Sequence, residues 1–232
     1  MSNQNFNPLW LAIIQAQRKK EEDERNAAGR AALLGELSQF YPSLLSQPIV
    51  VKRKVFISYH HGDDTEVKAF VKKWAETEKV FIPKGLGLTF TDDMINSTNP
   101  EYVMSQIREK YLDDSTVTIV LLGSCTHSRR YVDWEIKTSL RQGLYSSPNG
   151  LMGIVLPSGG NNAYLPSRLQ ENWVNGHVNC YARFWRAPTT ATELRGWIED
   201  AFESRTSRIR FIRNSQDMMK YNSKCNVCSV TH

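Results

Sequence analysis

The chain has 232 residues, of which 41% are hydrophobic and 23% are charged, and its formal net charge is +5 at pH 7. This length and composition are typical of one globular domain with an appendage, and they exclude wholesale disorder. The whole charge excess lies in residues 205–232, which carry six basic residues and one acidic residue. A nucleic-acid-binding protein more often carries a basic face on its folded body. We therefore expect no nucleic-acid partner and a solvated basic tail.

The apolar runs are too short for a membrane protein. None approaches the roughly 20 residues that span a bilayer. Residues 9–14 are followed by Arg18, Lys19 and Lys20 and not by a small-residue cleavage site, which argues against a signal peptide. Four cysteines in a chain of this length do not form a disulfide framework. These features predict a cytoplasmic protein with no membrane partner.

Residues 1–50 are predicted to form a helical arm and a linker. Apolar side chains recur at helical spacing over residues 9–14 and 31–37, and Pro42 and Pro48 follow them. The arm has too few large apolar side chains for a core of its own. We expect it to lie on the main domain, to pair with a second copy or to dock on a partner.

Residues 51–205 alternate between strand and helix patterns, and a basic tail (residues 206–232) follows them. The predicted strands cover residues 55–59, 80–82, 88–90, 116–122, 151–156 and 178–185. The predicted helices cover residues 67–74, 100–111, 128–142 and 189–205. The strand at 116–122 is almost entirely apolar, which is typical of burial on both faces of a parallel sheet. The alternation predicts a doubly wound α/β sheet that binds ligands at the carboxyl ends of its strands.

The common nucleotide and metal motifs are missing. The chain has no GxxxxGK[ST], no HExxH and no third glycine to complete a dinucleotide fingerprint. Cys225, Cys228 and His232 offer at most three ligands, whereas a folded zinc site normally has four, so we assign no metal. The Ser-Cys-Thr-His sequence at residues 124–127 lacks the G-x-S-x-G elbow and the third member of a triad.

One glutamate stands out on the helix predicted at residues 128–142. The apolar residues that we expect to face the sheet recur every four positions and are Val132, Ile136 and Leu140. Glu135 belongs to the adjacent stripe, about two turns from a helix start that follows the carboxyl end of the central strand. Partial desolvation there would raise its pKa and suit it to chemistry. The alternative is a surface glutamate paired with Arg129 or Arg130.

Five sequence segments, taken together, form a pattern that is specific enough to indicate a protein family. They are Lys-Val-Phe-Ile-Ser-Tyr-His at residues 54–60, Ile-Asn-Ser-Thr at 95–98, Ile-Arg-Glu-Lys-Tyr at 107–111, Ser-Thr-Val-Thr-Ile-Val-Leu-Leu-Gly at 115–123 and Val-Asp-Trp-Glu-Ile at 132–136. Over residues 52–205 the chain resembles TIR domains, most closely the bacterial and archaeal TIR-like subfamily that includes the TIR proteins of Thoeris anti-phage systems. Tyr131 stands where many TIR domains have a tryptophan, four residues before the catalytic glutamate.

The resemblance implies the TIR fold, a flavodoxin-like doubly wound parallel sheet, and an NAD⁺-consuming activity. It makes Glu135 the catalytic glutamate, which would stabilise the ribosyl cation as nicotinamide leaves. The residues that it places in substrate binding are Tyr59, His60, His61, Ser124 and Tyr131. Residues 83–99 are expected to form a wall of the site. NAD⁺ is the substrate, and no cofactor or metal is implied.

The resemblance also implies a role in anti-phage signalling. Attack by water on the ribosyl centre gives ADP-ribose, whereas attack by a hydroxyl of the same molecule gives a cyclic ADP-ribose isomer, which in Thoeris-like systems activates a separate effector protein. A homo-oligomer and a phage-protein trigger are also expected. Two alternatives stay open, a non-catalytic TIR-like assembly module and a receiver-like phosphoacceptor. The second is disfavoured because the central strand ends in Leu121-Leu122-Gly123, without the aspartate that phosphoryl transfer needs.

Overall fold

The computed structural model describes residues 51–85, 97, 99–112, 114–143, 147–174 and 179–231, together with Gly29. The chain divides into two units, Met1–Val51 and Lys52–His232, and every element below belongs to the second. The helical arm predicted at residues 1–50 lies outside the described residues except for Gly29. The division of the chain into an arm, a domain and a tail therefore stays a prediction. Within the described part of the chain, no helix combines the length and the hydropathy needed to cross a membrane.

Five parallel strands form one sheet in the order β2-β1-β3-β4-β5. The strands are β1 (Lys54–Ser58), β2 (Ile82–Lys84), β3 (Val117–Leu122), β4 (Gly150–Val155) and β5 (Arg183–Trp185). The predicted flavodoxin-like doubly wound parallel sheet is thus confirmed. The winding direction reverses between β1 and β3, and a reversal of this kind opens a ligand crevice outside the carboxyl ends of the two strands.

Helices cover both faces of the sheet. They are α1 (Asp64–Val71), α2 (Pro100–Ile107), α3 (Arg130–Ser139), α4 (Ser167–Asn172) and α5 (Ala191–Ser207). Wide π turns extend α1 through residues 72–77 and α2 through residues 108–112. The short helix α4 was not predicted, because six residues with a single large apolar side chain, Leu169, carry no readable helical period.

Side chains of the central strand divide the core into two layers. Val117, Ile119 and Leu121 pack with α1 and α5, whereas Val120 and Leu122 pack on the opposite face with α3 and α4. This division follows from the two-residue period of a strand. All six residues of β3 are buried, as the apolar run predicts.

The same period on β1 aims one polar side chain at α3. Phe56 packs against Trp134 of α3, on the face opposite to the layer that contains Val55 and Ile57. Ser58 follows Phe56 by two residues and therefore lies on the same face, at the carboxyl end of the strand. A buried hydroxyl group thus sits beside the helix that carries Glu135.

The C-terminal tail is held to the domain by its backbone, although its basic side chains Arg210, Arg213, Lys220 and Lys224 are exposed as expected of a solvated tail. The fully buried Arg168 side chain donates to Asp133 Oδ1 at 2.9 Å and to the backbone carbonyls of Gln216 and Asp217 at 3.0 Å each. The backbone N–H of Met219 donates to Asp133 Oδ2 at 2.9 Å. An ion pair between α3 and α4 thus binds the tail backbone, which the local sequence does not indicate.

Candidate functional site

A cleft of about 150 Å³ opens at the carboxyl end of β1, beside the first turns of α3. Its lining residues are Ile57, Tyr59, His60, His61, Gly85, Arg129, Tyr131, Val132, Glu135 and Asn222. This is the crevice where a doubly wound sheet binds ligands. It brings together the predicted catalytic residue and four of the five predicted substrate-binding residues. Most of the loop expected to form a wall, residues 83–99, lies outside the described residues.

Glu135 is buried at the inner side of the cleft. Glu135 is only 7% exposed, and its Oε2 accepts a hydrogen bond from Ser58 Oγ at 2.6 Å. Burial raises the pKa of Glu135 to about 8, and the Ser58 hydrogen bond opposes that rise. The alternative of a surface glutamate paired with Arg129 or Arg130 is wrong, and no ion pair among the described residues includes Glu135.

This environment suits a positive charge next to Glu135. With a pKa of about 8, Glu135 holds its proton at pH 7. A positive charge that enters the cleft, or develops there, favours the carboxylate and lowers that pKa. The carboxylate can then stabilise the positive charge in a setting with little water to screen it. The arrangement therefore suits a reaction that passes through a cation.

Residues that follow β1 form an aromatic wall of the cleft. The rings of Tyr59 and His61 meet edge to face with centroids 5.9 Å apart, and Tyr59 Oη donates to Asp64 Oδ1 at 3.3 Å. The His60 ring lies against the backbone of Gly62, where an added Cβ would come within 2.7 Å of Nε2. Glycine at residue 62 therefore leaves room for the His60 ring at the cleft.

Tyr131 lies at the cleft in the first turn of α3. The Arg130 guanidinium covers its ring at 4.9 Å, and Arg130 Nη2 lies 2.9 Å from Tyr131 Oη, to which it donates. Trp134, one turn further on, is buried in the core and contacts the Tyr131 ring edge to face at 5.5 Å. The α3 helix thus offers a tyrosine ring to the cleft and keeps its tryptophan for packing.

Ser124 is not brought into the cleft. Gly123 N–H donates to Thr126 Oγ1 at 2.9 Å, and Thr126 Oγ1 donates to Asp63 Oδ2 at 3.2 Å. A Cβ at Gly123 would collide with the Asp63 carboxylate, so this loop turns tightly against the residues after β1. Ser124 Oγ donates instead to the carbonyl of Ser158 at 2.5 Å. Its predicted role in substrate binding gains no support from this position.

Arg129 is a cleft residue that the pattern did not single out. It is 6% exposed and precedes the first residue of α3, and two of its guanidinium nitrogens, Nε and Nη2, have no acceptor among the described residues. Burying an unpaired cation is costly, which makes this position suited to an anionic ligand. The sequence offered Arg129 only as a surface partner for Glu135.

Two further residues complete the site. Ser58 had a sequence signal, because it is a polar residue that directly follows the apolar run Val55-Phe56-Ile57. Asn222 had none, since it comes from the tail. Its Oδ1 accepts from the backbone N–H of Arg130 at 2.9 Å and so satisfies a free donor at the start of α3.

One family of known proteins matches this region. Residues 56–160 match the family model described as the TIR-like domain of the Thoeris protein ThsB. The matched segment runs from β1 past β4 and contains every lining residue of the cleft except Asn222. No protein with a curated description matches the chain.

Proposed function

We propose that this chain, in which residues 56–160 are a TIR-like domain of the Thoeris ThsB family, cleaves the bond between nicotinamide and ribose in NAD⁺. The family is a component of Thoeris defence. The observation that carries the proposed activity is Glu135, a buried carboxyl group that lines a cleft at the carboxyl end of β1. A scaffold would have no need to bury, beside an open cavity, a carboxyl group that has no ion-pair partner among the described residues.

One carboxylate is sufficient for this reaction. The nicotinamide of NAD⁺ is already cationic and leaves as a neutral molecule, so no general acid has to protonate it. The electron pair of the C1′–N bond moves to the ring nitrogen, and positive charge develops on the ribose, as it does in glycoside hydrolysis. The Glu135 carboxylate stabilises that charge, and Ser58 orients the carboxylate through its 2.6 Å hydrogen bond.

The other cleft residues match the remaining parts of the substrate. Arg129 lines the cleft, and its planar guanidinium, in which Nε and Nη2 have no acceptor among the described residues, is suited to a bidentate contact with the diphosphate. The Tyr59, His61 and Tyr131 rings line the same cleft and can contact the flat nicotinamide and adenine rings. A dinucleotide thus finds an anion site and aromatic surfaces around one carboxyl group.

The product that we propose is a cyclic ADP-ribose isomer. After nicotinamide leaves, a hydroxyl group of the same molecule attacks C1′ and loses its proton. The walls of the cleft exclude water, which would otherwise attack C1′ instead. This product would diffuse to a separate effector protein. We further propose that the chain acts as a homo-oligomer in the cytoplasm and responds to a phage protein.

The direct test is mass spectrometry of nucleotides from phage-infected cells that express the wild-type chain or its Glu135→Gln variant. We expect NAD⁺ to fall and either ADP-ribose or a cyclic product that is lighter by one water molecule to rise only with the wild type. The mass itself then distinguishes the hydrolytic product from a cyclic one, because attack by a hydroxyl of the same molecule adds no water. Equal nucleotide levels in the two infected cultures would favour the non-catalytic assembly module.

Replacing Arg129 by glutamine is expected to weaken substrate binding. Hydrogen bonds to a charged group contribute about 1.5–3 kcal/mol, so KM for NAD⁺ should rise roughly 10- to 100-fold while kcat changes little. Steady-state kinetics with nicotinamide riboside, which has no phosphate, should show no such rise. Arg141→Gln removes an exposed arginine that pairs with Glu101 and is the matched control. An equal loss with both substrates would refute the diphosphate contact.

Replacing Ser58 by alanine is expected to move the pH dependence of the reaction. The ionised form of Glu135 is the active one, so kcat/KM of the wild type should rise with pH and reach half of its plateau near pH 8. The Ser58 hydrogen bond lowers the pKa of Glu135. Its loss should therefore shift the midpoint upward by about one to two pH units. Ser105→Ala, at an exposed position on α2, should leave the midpoint in place. A profile that is unchanged in Ser58→Ala would contradict the assignment of the titrating group.

A further inference from the structure

Three of the four cysteines meet at one point outside the cleft. Cys125 lies in the loop after β3, and Cys225 and Cys228 lie in the tail, about 100 residues further along the chain. The Sγ atoms of the three residues all lie within 4.8 Å of one another. The distance to Cys125 Sγ is 3.0 Å from Cys225 Sγ and 3.5 Å from Cys228 Sγ. We call these three residues the cysteine cluster.

The backbone around the two tail cysteines forms a small hairpin. Lys224 and Thr231 pair as an antiparallel bridge, and Cys225 N–H donates to the carbonyl of Val230 at 2.9 Å. Ser229, which follows the second cysteine, has a left-handed φ of 60°, and its N–H returns to the carbonyl of Cys225 at 2.9 Å. The hairpin thus presents both cysteines of the Cys-x-x-Cys sequence on one side.

A backbone donor inside the hairpin points at sulfur. The N–H of Val227 lies 3.4 Å from Cys225 Sγ. Such donors stabilise a thiolate more than a thiol, and groups that hydrogen-bond to the ligands are a regular part of metal sites. This contact is independent of the meeting of the three sulfur atoms, and it also indicates a ligand that requires thiolates.

We propose that the cysteine cluster binds one Zn²⁺ ion through three thiolates. Tetrahedral zinc with Zn–S bonds of about 2.3 Å holds its sulfur ligands about 3.8 Å apart. The separations of 3.0 and 3.5 Å from Cys125 Sγ are somewhat shorter than that value, and the third separation is at most 4.8 Å. Zinc fits a sulfur-rich tetrahedral site and needs no redox partner. Binding releases the thiol protons to solvent, so charge and atoms balance without an oxidant. The exposed Cys228 leaves the fourth position open to water or to a further ligand.

Cys125 supplies the third sulfur ligand of the proposed zinc site, in addition to Cys225 and Cys228. A Cys-x-x-Cys hairpin alone supplies two ligands, and one disulfide would use two of the three sulfur atoms and leave the third unused. Cys180, the remaining cysteine, is buried elsewhere, beside Asn179 and Phe211. His127 is a positioning residue, because its Nε2 accepts from the backbone N–H of Asn226 at 3.0 Å and so holds the hairpin turn.

The ion would fix the tail to the domain beside the cleft. Between the body of the tail and the hairpin lies Asn222, which lines the cleft and hydrogen-bonds to the first residue of α3. Ser223 N–H also donates to the carbonyl of Ser128 at 3.0 Å. Zinc at the cysteine cluster would therefore fix the tail segment that contains Asn222, which both lines the cleft and packs on the domain.

The test uses the full chain, purified under reducing conditions, and elemental analysis by plasma mass spectrometry. We expect about one zinc per chain in the wild type and in Cys180→Ala, and near none in Cys125→Ser and in the Cys225→Ser/Cys228→Ser double variant. Cobalt-substituted wild type should show thiolate-to-cobalt charge transfer and the intense visible bands of tetrahedral coordination, and the double variant should lose both.

A second measurement keeps the proposal testable when a variant does not fold. A chromogenic chelator added to folded wild type should release about one equivalent of zinc and speed hydrogen exchange over residues 220–231. Wild type that takes up no zinc from a zinc-supplemented buffer overturns the proposal. So does an intact mass that shows a disulfide between two of these cysteines in metal-free protein kept under the same reducing conditions.

Discussion

Replacing Glu135 by glutamine is expected to abolish NAD⁺ cleavage and, at the same time, to stabilise the folded chain at alkaline pH. Glutamine keeps the size of the side chain and removes only the negative charge that steadies the ribosyl cation. Loss of one preorganised electrostatic group typically costs about 10²- to 10³-fold in kcat, and Glu135 is the only carboxylate among the described residues that line the cleft. Turnover of NAD⁺ by purified protein should therefore fall at least that far.

The expected gain in stability follows from the raised pKa. The ordinary pKa of a glutamate is 4.5, whereas burial raises that of Glu135 in the folded chain to about 8. Between these two pH values the unfolded chain has lost a proton that the folded chain still holds, so the stability of the wild type falls as pH rises. Each pKa unit corresponds to about 1.4 kcal/mol. Glutamine cannot ionise, so the variant escapes this loss.

Urea unfolding at two pH values measures the effect. The free energy of unfolding of Glu135→Gln should exceed that of the wild type by a few kcal/mol at pH 9 and match it near pH 4.5. Glu109→Gln, at an exposed position beyond α2, should change neither activity nor stability. A variant that is inactive but less stable than the wild type at every pH would indicate damaged packing, and an active variant would remove Glu135 from the mechanism.

Replacing Arg168 by methionine is expected to give the largest loss of stability in the domain. Arg168 and Asp133 are both buried, and the guanidinium also holds the carbonyls of Gln216 and Asp217. Removing one partner of a buried ion pair leaves the other charge unpaired and costs about 3–5 kcal/mol. The tail should lose its anchor, and activity should fall because Asn222 leaves the cleft.

Urea unfolding and hydrogen exchange over residues 213–223 would measure both effects. The double variant Arg168→Met/Asp133→Leu contains no unpaired charge, so it should recover part of the stability that the single variant loses. Arg141→Ala breaks an exposed ion pair with Glu101 and should cost under about 1 kcal/mol. A single variant as stable as Arg141→Ala would show that the buried pair does not organise the tail.

The sheet and the position of Glu135 could be predicted because their signals are local. The apolar run of β3 and the four-residue recurrence of Val132 and Ile136 record which side chains leave water, and that choice repeats with the period of a strand or a helix. Once the face of α3 was known, Glu135 had to lie beside the buried stripe. The alternation of strand and helix patterns likewise predicted a doubly wound sheet.

The remaining site residues depend on polar groups that meet only in the folded chain. Arg129 and Asn222 have no period to mark them, and the three sulfur atoms come from segments about 100 residues apart. The sequence by itself therefore determined the doubly wound α/β class and the position of one carboxyl group. Tertiary structure decided which polar groups share a buried space. Hydrophobic burial repeats with the period of each helix or strand, so the sequence of that element shows it. Polar pairs form between different elements, where packing has excluded water, so no single element shows them.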